Sequence, residues 1–195
     1  MNVFAISDTH NGRLINLPEI CEVFIHAGDL SDQWSNHNQF LDWSKNMHSL
    51  NPNLKEIVFC PGNHDFWAED SFSTTSFVLN KLTFVLFPWV PNCGDWAFTA
   101  PKFDIHENFL REKLDVVNNV VPEVLVTHGP PFNCVDETWD NRLAGSYTVR
   151  DYIARHKDTL KAVICGHIHE QGGQVQELYG VPVYNVAQRL MKVKL

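Results

Sequence analysis

The chain has 195 residues and no Pro-, Gly- or Ser-rich stretch that would divide it, so residues 1–195 are read as one domain with a sizeable core. Its 15 Lys and Arg stand against 23 Asp and Glu, a formal charge of -8, which argues against a module that grips duplex nucleic acid through a basic face. An anionic substrate would need a local source of positive charge, and bound divalent cations are one such source.

The first expected strand, Val3–Ser7, is short and apolar and runs into Asp8-Thr9-His10. A second, Val23–Ala27, runs into Gly28-Asp29. Residues Asn38–Leu50 carry apolar side chains at helical spacing, and the strand Glu56–Cys60 then leads into Pro61 and the block Gly62-Asn63-His64-Asp65. Strands are expected next at Thr83–Phe87 and Trp96–Ala100, followed by a helix over His106–Val117 with Phe109, Leu110, Leu114 and Val117 on one face. The strand Glu123–Thr127 leads into His128-Gly129, a helix follows over Thr148–Leu160, and the strand Ala162–Cys165 leads into Gly166-His167-Ile168-His169. The last two strands, Gln174–Leu178 and Val181–Val186, are joined by Tyr179-Gly180 and read as a hairpin. Strands alternating with helices imply parallel pairing, so the expectation is an α/β sheet sandwich flanked by helices.

The five cysteines, at 21, 60, 93, 134 and 165, have neither disulfide-framework nor zinc-finger spacing, and several lie in apolar runs where Cys acts as a small core residue. With no charged leader at the amino terminus and no apolar run of about 18 residues, the expectation is a soluble cytoplasmic protein.

Five polar blocks each follow a strand, and parallel strands that end at one edge of a sheet would gather them in a single crevice. Asp8 and His10, two apart in extended chain, point the same way and offer an oxygen and a nitrogen to one ion. Asp29 follows a glycine that lets backbone come close, and its two carboxylate oxygens suit it to bridge two cations roughly 3.5 to 4 Å apart. Asn63 offers a neutral carbonyl oxygen, a weak donor that makes sense only among stronger ones. His128, His167 and His169 complete the set, whereas His37, His48, His106 and His156 lack such neighbours.

Taken in order, Asp-x-His, Gly-Asp, Gly-Asn-His-Asp, Gly-His preceded by Thr127 and Gly-His-x-His resemble the pattern of the calcineurin-like metallophosphoesterases, from Asp8 to His169. The resemblance implies a four-layer α-β-β-α sandwich of two mixed β-sheets flanked by helices. It also implies one ion held by Asp8, His10, Asp29 and His169 and a second held by Asp29, Asn63, His128 and His167. The run Thr127-His128-Gly129-Pro130-Pro131, with Asp136 and Glu170, resembles the small branch that hydrolyses phosphodiesters, including cyclic nucleotides. The Ser/Thr protein phosphatases of the superfamily continue Gly-Asp with x-x-Asp-Arg-Gly, whereas here Asp32 is followed by Gln33-Trp34, which lacks the phosphate-holding arginine.

The function expected from this is hydrolysis of a small or terminal phosphodiester, with a 2′,3′-cyclic nucleotide as one such substrate. Two divalent cations would lower the pKa of a shared water to generate a hydroxide nucleophile and would clamp the phosphoryl oxygens. Mn²⁺ is the first expectation, with Fe, Zn²⁺, Ni²⁺ or Mg²⁺ as alternatives. His64 is read as the general acid, Asp32 as the group that fixes its tautomer, and Asp65 as either a second such group or a helix-capping aspartate. Asn63 and Arg142, with Arg150, are candidates for phosphate contact, and Trp34, Trp67, Trp89 and Trp139 for stacking a nucleobase. A phosphomonoesterase is the alternative enzyme, and a non-catalytic protein-binding scaffold is the alternative of another class. Partners are expected to be a small phosphoester or nucleotide, with neither membrane nor duplex nucleic acid.

Overall fold

The computed structural model describes residues 1–102 and 106–195. Its short apolar runs become strands paired mainly in parallel. β1 (Val3–Ile6), β2 (Val23–His26) and β3 (Glu56–Phe59) are parallel, and β10 (Met191–Val193) adds antiparallel to β1, giving a sheet of order β10-β1-β2-β3. The second sheet contains β4 (Thr75–Leu79), β5 (Leu82–Phe87), β6 (Val124–Thr127), β7 (Ala162–Cys165), β8 (Val175–Leu178) and β9 (Val181–Asn185), in the order β4-β5-β6-β7-β9-β8. Its centre is parallel, and each edge strand joins antiparallel to its neighbour through a hairpin.

Alternation along each strand sorts the side chains into layers. Val3, Ala5, Val23 and Ile25 meet Phe84, Val124, Val126 and Ile164 in one apolar cluster between the sheets. Phe4, Ile6 and Phe24 face the other way, onto Trp43 and Met47 of α1 (His37–Leu50). On the far side Val85, Leu125 and Val163 pack against Leu110 and Leu114 of α2 (His106–Asp115) and Tyr152 and Ile153 of α3 (Tyr147–His156). The layers are therefore α-β-β-α, as the resemblance implied. Burial of each such large side chain contributes roughly 1.5–3 kcal/mol, which is why strands of four residues suffice. Asn36 caps α1 and Ser146 caps α3 by accepting backbone N–H bonds from Asn38 and Val149. No helix among the described residues is long and apolar enough to cross a membrane.

Three expectations need correction. Residues Trp96–Ala100 form no strand: the segment touches Val90 through a single bridge at Thr99, Phe98 has a φ of 46°, and its apolar character comes from burial of Ala97 and Phe98 under the first sheet. β4 and β10 were not anticipated, because Thr75–Leu79 is a half-buried edge strand and Met191–Val193 has three residues. The helices α2 and α3 stop at Asp115 and His156, short of Val117 and Leu160, and the N–H groups of Thr159 and Leu160 both turn back to the His156 carbonyl. The Tyr179-Gly180 hairpin forms with both residues at positive φ, 56° and 85°, and the unanticipated Asn80-Lys81 hairpin does the same at 50° and 68°.

Candidate metal centre

The polar blocks sit where β1, β2, β3, β6 and β7 end, and backbone hydrogen bonds stitch those ends together. The Asp8 N–H donates to the Gly28 carbonyl at 2.9 Å, that of His10 to Asp29 at 3.0 Å, and that of Gly166 to His128 at 2.8 Å. Asp8, His10, Asp29 and His167 all lie at left-handed φ, between 55° and 68°, an arrangement with a conformational cost that surrounding contacts must sustain. Gly62 is a glycine because of crowding: a Cβ there would lie 2.6 Å from both the Asp29 nitrogen and His128 Cε1.

Besides a cluster of His10, Asp32 and His64, two groups of possible ligands form among the described residues. In one, donor atoms of Asp8, His10 and His169 lie within 4.8 Å of one another; in the other, those of Asp29, His128 and His167 do. Asp29 faces both, with Oδ1 3.3 Å from His128 Nε2 and Oδ2 3.9 Å from His10 Nε2. The Asn63 side-chain oxygen is 2.9 Å from His128 Nε2, which places it with the second group. The Nδ1–H of His128 donates to the Ala27 carbonyl at 2.9 Å, so Nε2 is the nitrogen turned into the site. Asp8 and Asp29 are buried, and among the described residues their ion-pair partners are histidines, not Lys or Arg. Buried carboxylates converging with imidazoles and an amide oxygen, and no fixed cation, are a donor set that fits two divalent metal ions.

The electrostatics of the metal-free protein follow from this crowding. Burial works to raise the Asp29 carboxyl, but the charge and hydrogen bond of His128 outweigh it and hold Asp29 well below the usual carboxylate range. For Asp8, burial is likewise outweighed, by the hydrogen bond from His169 and the charge of His128. His128 is pushed up to about 9, because Asp29 overcomes the burial that would lower it. His167, buried beside His128, is pushed down to about 4. A proton on His128 thus stands where a cation would.

Asp32 Oδ1 lies 2.8 Å from His10 Nδ1 and 3.2 Å from His64 Nδ1, so one half-exposed carboxylate orients both rings and turns both Nε2 atoms away from itself. The His64 N–H also donates to Asp29 Oδ1 at 2.8 Å, which ties the candidate general acid to the candidate bridging carboxylate. Asp65 takes neither of its expected roles. Its carboxylate makes no cap bond to the 3₁₀ turn Phe66–Ala68; instead Oδ2 accepts from the N–H of Asp29 and of Gly62, both at 2.8 Å, while Oδ1 accepts from Leu30, Ser31 and Trp67 Nε1. It anchors the loop that carries Asp29.

Of the expected stacking residues, Trp34 and Trp67 belong to an aromatic cluster with Trp43 and Phe40, and Trp89 packs on Phe98 and Phe109. Trp139 is 81% exposed, and its N–H donates to Glu170 beside His169. Arg142 pairs with Asp140 at 2.6 Å and lines an open cleft of about 710 Å³ with Lys102, Phe132 and Tyr147, whereas Arg150 donates to the Tyr179 hydroxyl. Two residues at the site went unnoticed in the sequence. Gln188 meets His169 Nδ1 at 3.3 Å, and Trp96, read as a strand residue, lies against His64.

An uncharacterized protein of Methanocaldococcus jannaschii is 25% identical over 183 residues, 87% of this chain and 81% of that one. Among solved structures, a Staphylococcus aureus protein assigned as a 5′-nucleotidase, in complex with alpha-ketoglutarate, superposes with a TM-score of 0.55 at 12% identity. That match covers 94% of this chain and 48% of the other, so the chain spans about half its length. A dimetal phosphatase from Danio rerio superposes with a TM-score of 0.50 at 12% identity, covering 95% of this chain and 87% of that one. These likenesses concern the fold. The model of the calcineurin-like phosphoesterase family matches residues 1–171, most of the chain, and the chain belongs to that family of metal-dependent phosphoester hydrolases.

Proposed function

We propose that the protein is a two-metal phosphodiesterase acting on a small or terminal phosphodiester, with a 2′,3′-cyclic nucleotide as the leading substrate class and Mn²⁺ as the working ion. When bound by Asp8, His10, Asp29, Asn63, His128, His167 and His169, the ions would supply an activated water and positive charge for the phosphoryl oxygens. The observation that carries the reading is the orientation of His64 beside this donor set. With ring Nδ1 against Asp32 and the backbone N–H of His64 tied to Asp29, the ring keeps Nε2 for a leaving oxygen, and general-acid help of this kind contributes typically 10²- to 10⁴-fold.

Preference for a diester follows from charge. A phosphodiester carries one negative charge and a monoester up to two, and a fixed arginine would favour the latter. After Asp32 this chain has Gln33 and then Trp34, whose ring packs against Trp43 and Trp67. The test is turnover of bis-p-nitrophenyl phosphate, p-nitrophenyl phosphate and 2′,3′-cyclic AMP by metal-stripped protein reconstituted with Mn²⁺. Faster hydrolysis of the diesters is expected. A faster monoester would overturn the diester assignment, and no hydrolysis with Mn²⁺, Fe²⁺, Zn²⁺, Ni²⁺ or Mg²⁺ would overturn the enzyme.

A further inference from the structure

We propose that Trp96 is a positioning residue for His64, its indole forming the wall that holds the imidazole in the orientation set by Asp32. The inference rests on the hydrolase reading above, in which His64 serves the leaving oxygen. The two ring centroids lie 4.1 Å apart with the planes inclined by 30°, close to a stack. On its other sides His64 meets Asp32 at 3.2 Å through Nδ1 and the ring of His10 edge-on at 4.8 Å. One face and one edge of the imidazole are thereby fixed, and Nε2 is left for substrate.

The indole is itself held in place. Gly94, at a φ of 132°, lies beneath it, and a Cβ there would lie 3.2 Å from Trp96 Cδ1 and Nε1. The loop closes at its base through bonds from the Val90 N–H to Phe98 at 2.9 Å, from the Ala100 N–H to Val90 at 3.0 Å, and from Asn92 Nδ2 to Ala100 at 2.7 Å. Ala97 and Phe98, directly after the tryptophan, are fully buried. Phe66 flanks the indole at 5.8 Å. Yet Trp96 is 43% exposed, so this rigid mounting does not serve to bury it, and among the described residues its closest aromatic partner is His64.

Positioning is worth having because of the step His64 performs. As a water-derived hydroxide forms its bond to phosphorus, the P–O bond to the leaving group breaks and the electron pair of that bond passes to the leaving oxygen. The Nε2 proton of the imidazolium moves onto that oxygen, leaving a neutral imidazole. Such transfer needs a donor within about 2.6–3.2 Å of the acceptor, and a displacement of ~1 Å can cost on the order of 10²-fold. A ring without its wall samples other rotamers and donates less often.

The test compares wild type with Trp96→Ala, Trp96→Leu and Trp96→Phe, all Mn²⁺-loaded, on methyl phenyl phosphate and methyl p-nitrophenyl phosphate. The nitrophenolate leaves readily without a proton, whereas phenolate benefits from one. For Trp96→Ala and Trp96→Leu the expected result is a fall of about 10-fold in kcat on the phenyl ester with KM nearly unchanged, and a fall under about 3-fold on the nitrophenyl ester. Trp96→Phe should recover most of the loss. Independently of turnover, in the metal-free proteins, where no paramagnetic Mn²⁺ broadens the signals, the His64 ring protons should lose their upfield ring-current shift in Trp96→Ala. Equal loss on both esters, no loss on either, or full activity with the ring shift gone would overturn the positioning role while leaving the hydrolase reading intact. A wild-type protein that hydrolyses neither ester would overturn the hydrolase reading, and the role of Trp96 with it.

Discussion

Replacing Asp65 by Asn tests whether this buried carboxylate holds up the metal loop. Both oxygens of Asp65 accept only from N–H donors, so an amide must turn its NH₂ toward at least two of them. The less damaging orientation places the NH₂ where Oδ2 now accepts from Asp29 and Gly62, two bonds of 2.8 Å each; the other would forfeit three. Burial and the charge of Asp29 push the Asp65 carboxyl up to about 7, so the charged form prevails only above that pH. There a hydrogen bond to a charged group contributes about 1.5–3 kcal/mol, and loss of two predicts destabilisation of roughly 3–6 kcal/mol, falling off below pH 7. That is a large share of a domain's ~5–15 kcal/mol. Denaturant unfolding of the metal-free protein reads the stability, and Mn²⁺ titration reads the loop, where affinity should fall because the Asp29 backbone has lost its anchor. Destabilisation below about 1 kcal/mol with unchanged Mn²⁺ affinity would refute the reasoning.

Other outcomes follow from the same geometry. Gly62→Ala drives a methyl into the Asp29 backbone and the His128 ring and should reduce Mn²⁺ affinity by about 10- to 100-fold, read by calorimetry, while a Gly→Ala change at the unobstructed turn residue Gly180 should not. Asp32→Ala removes the acceptor shared by His10 and His64 and should lower both metal affinity and, at saturating Mn²⁺, turnover of esters with poor leaving groups. In the metal-free protein the His128 pKa is raised to about 9, so its contribution to stability is complete below about 6.5 and is lost as pH rises through 9. Because a metal must displace that proton, binding at pH 7 should release at least one proton per chain, and affinity should rise with pH up to about 9. Calorimetry in buffers of different ionisation enthalpy checks this, and release of none at pH 7 would contradict it.

The sequence revealed the strands that lie in the centres of the sheets because those strands are fully buried and almost entirely apolar, and their ends because polar blocks follow at once. β1, β2, β6 and β7 are of this kind. β4 was hidden because an edge strand such as Thr-Ser-Phe-Val-Leu needs no continuous apolar run, and Trp96–Ala100 misled because burial in a loop gives the same composition as a strand. The candidate ligands were readable through residue type and position after each strand. The work of Asp65 was not, because it depends on N–H groups 34 to 36 residues earlier in the chain that only tertiary folding brings to it. Trp96 was hidden for the same reason: nothing local links it to His64, 32 positions away.

The most direct test of the two-ion centre is metal content against turnover. Metal-stripped wild type and Asp29→Ala would be titrated with Mn²⁺, the bound ions counted by elemental analysis after gel filtration, and bis-p-nitrophenyl phosphate hydrolysis followed at each ratio. The account predicts two ions per wild-type chain, activity that grows with the second, and neither full occupancy nor hydrolysis in Asp29→Ala. Full activity with one ion, or undiminished occupancy and rate without Asp29, would contradict it.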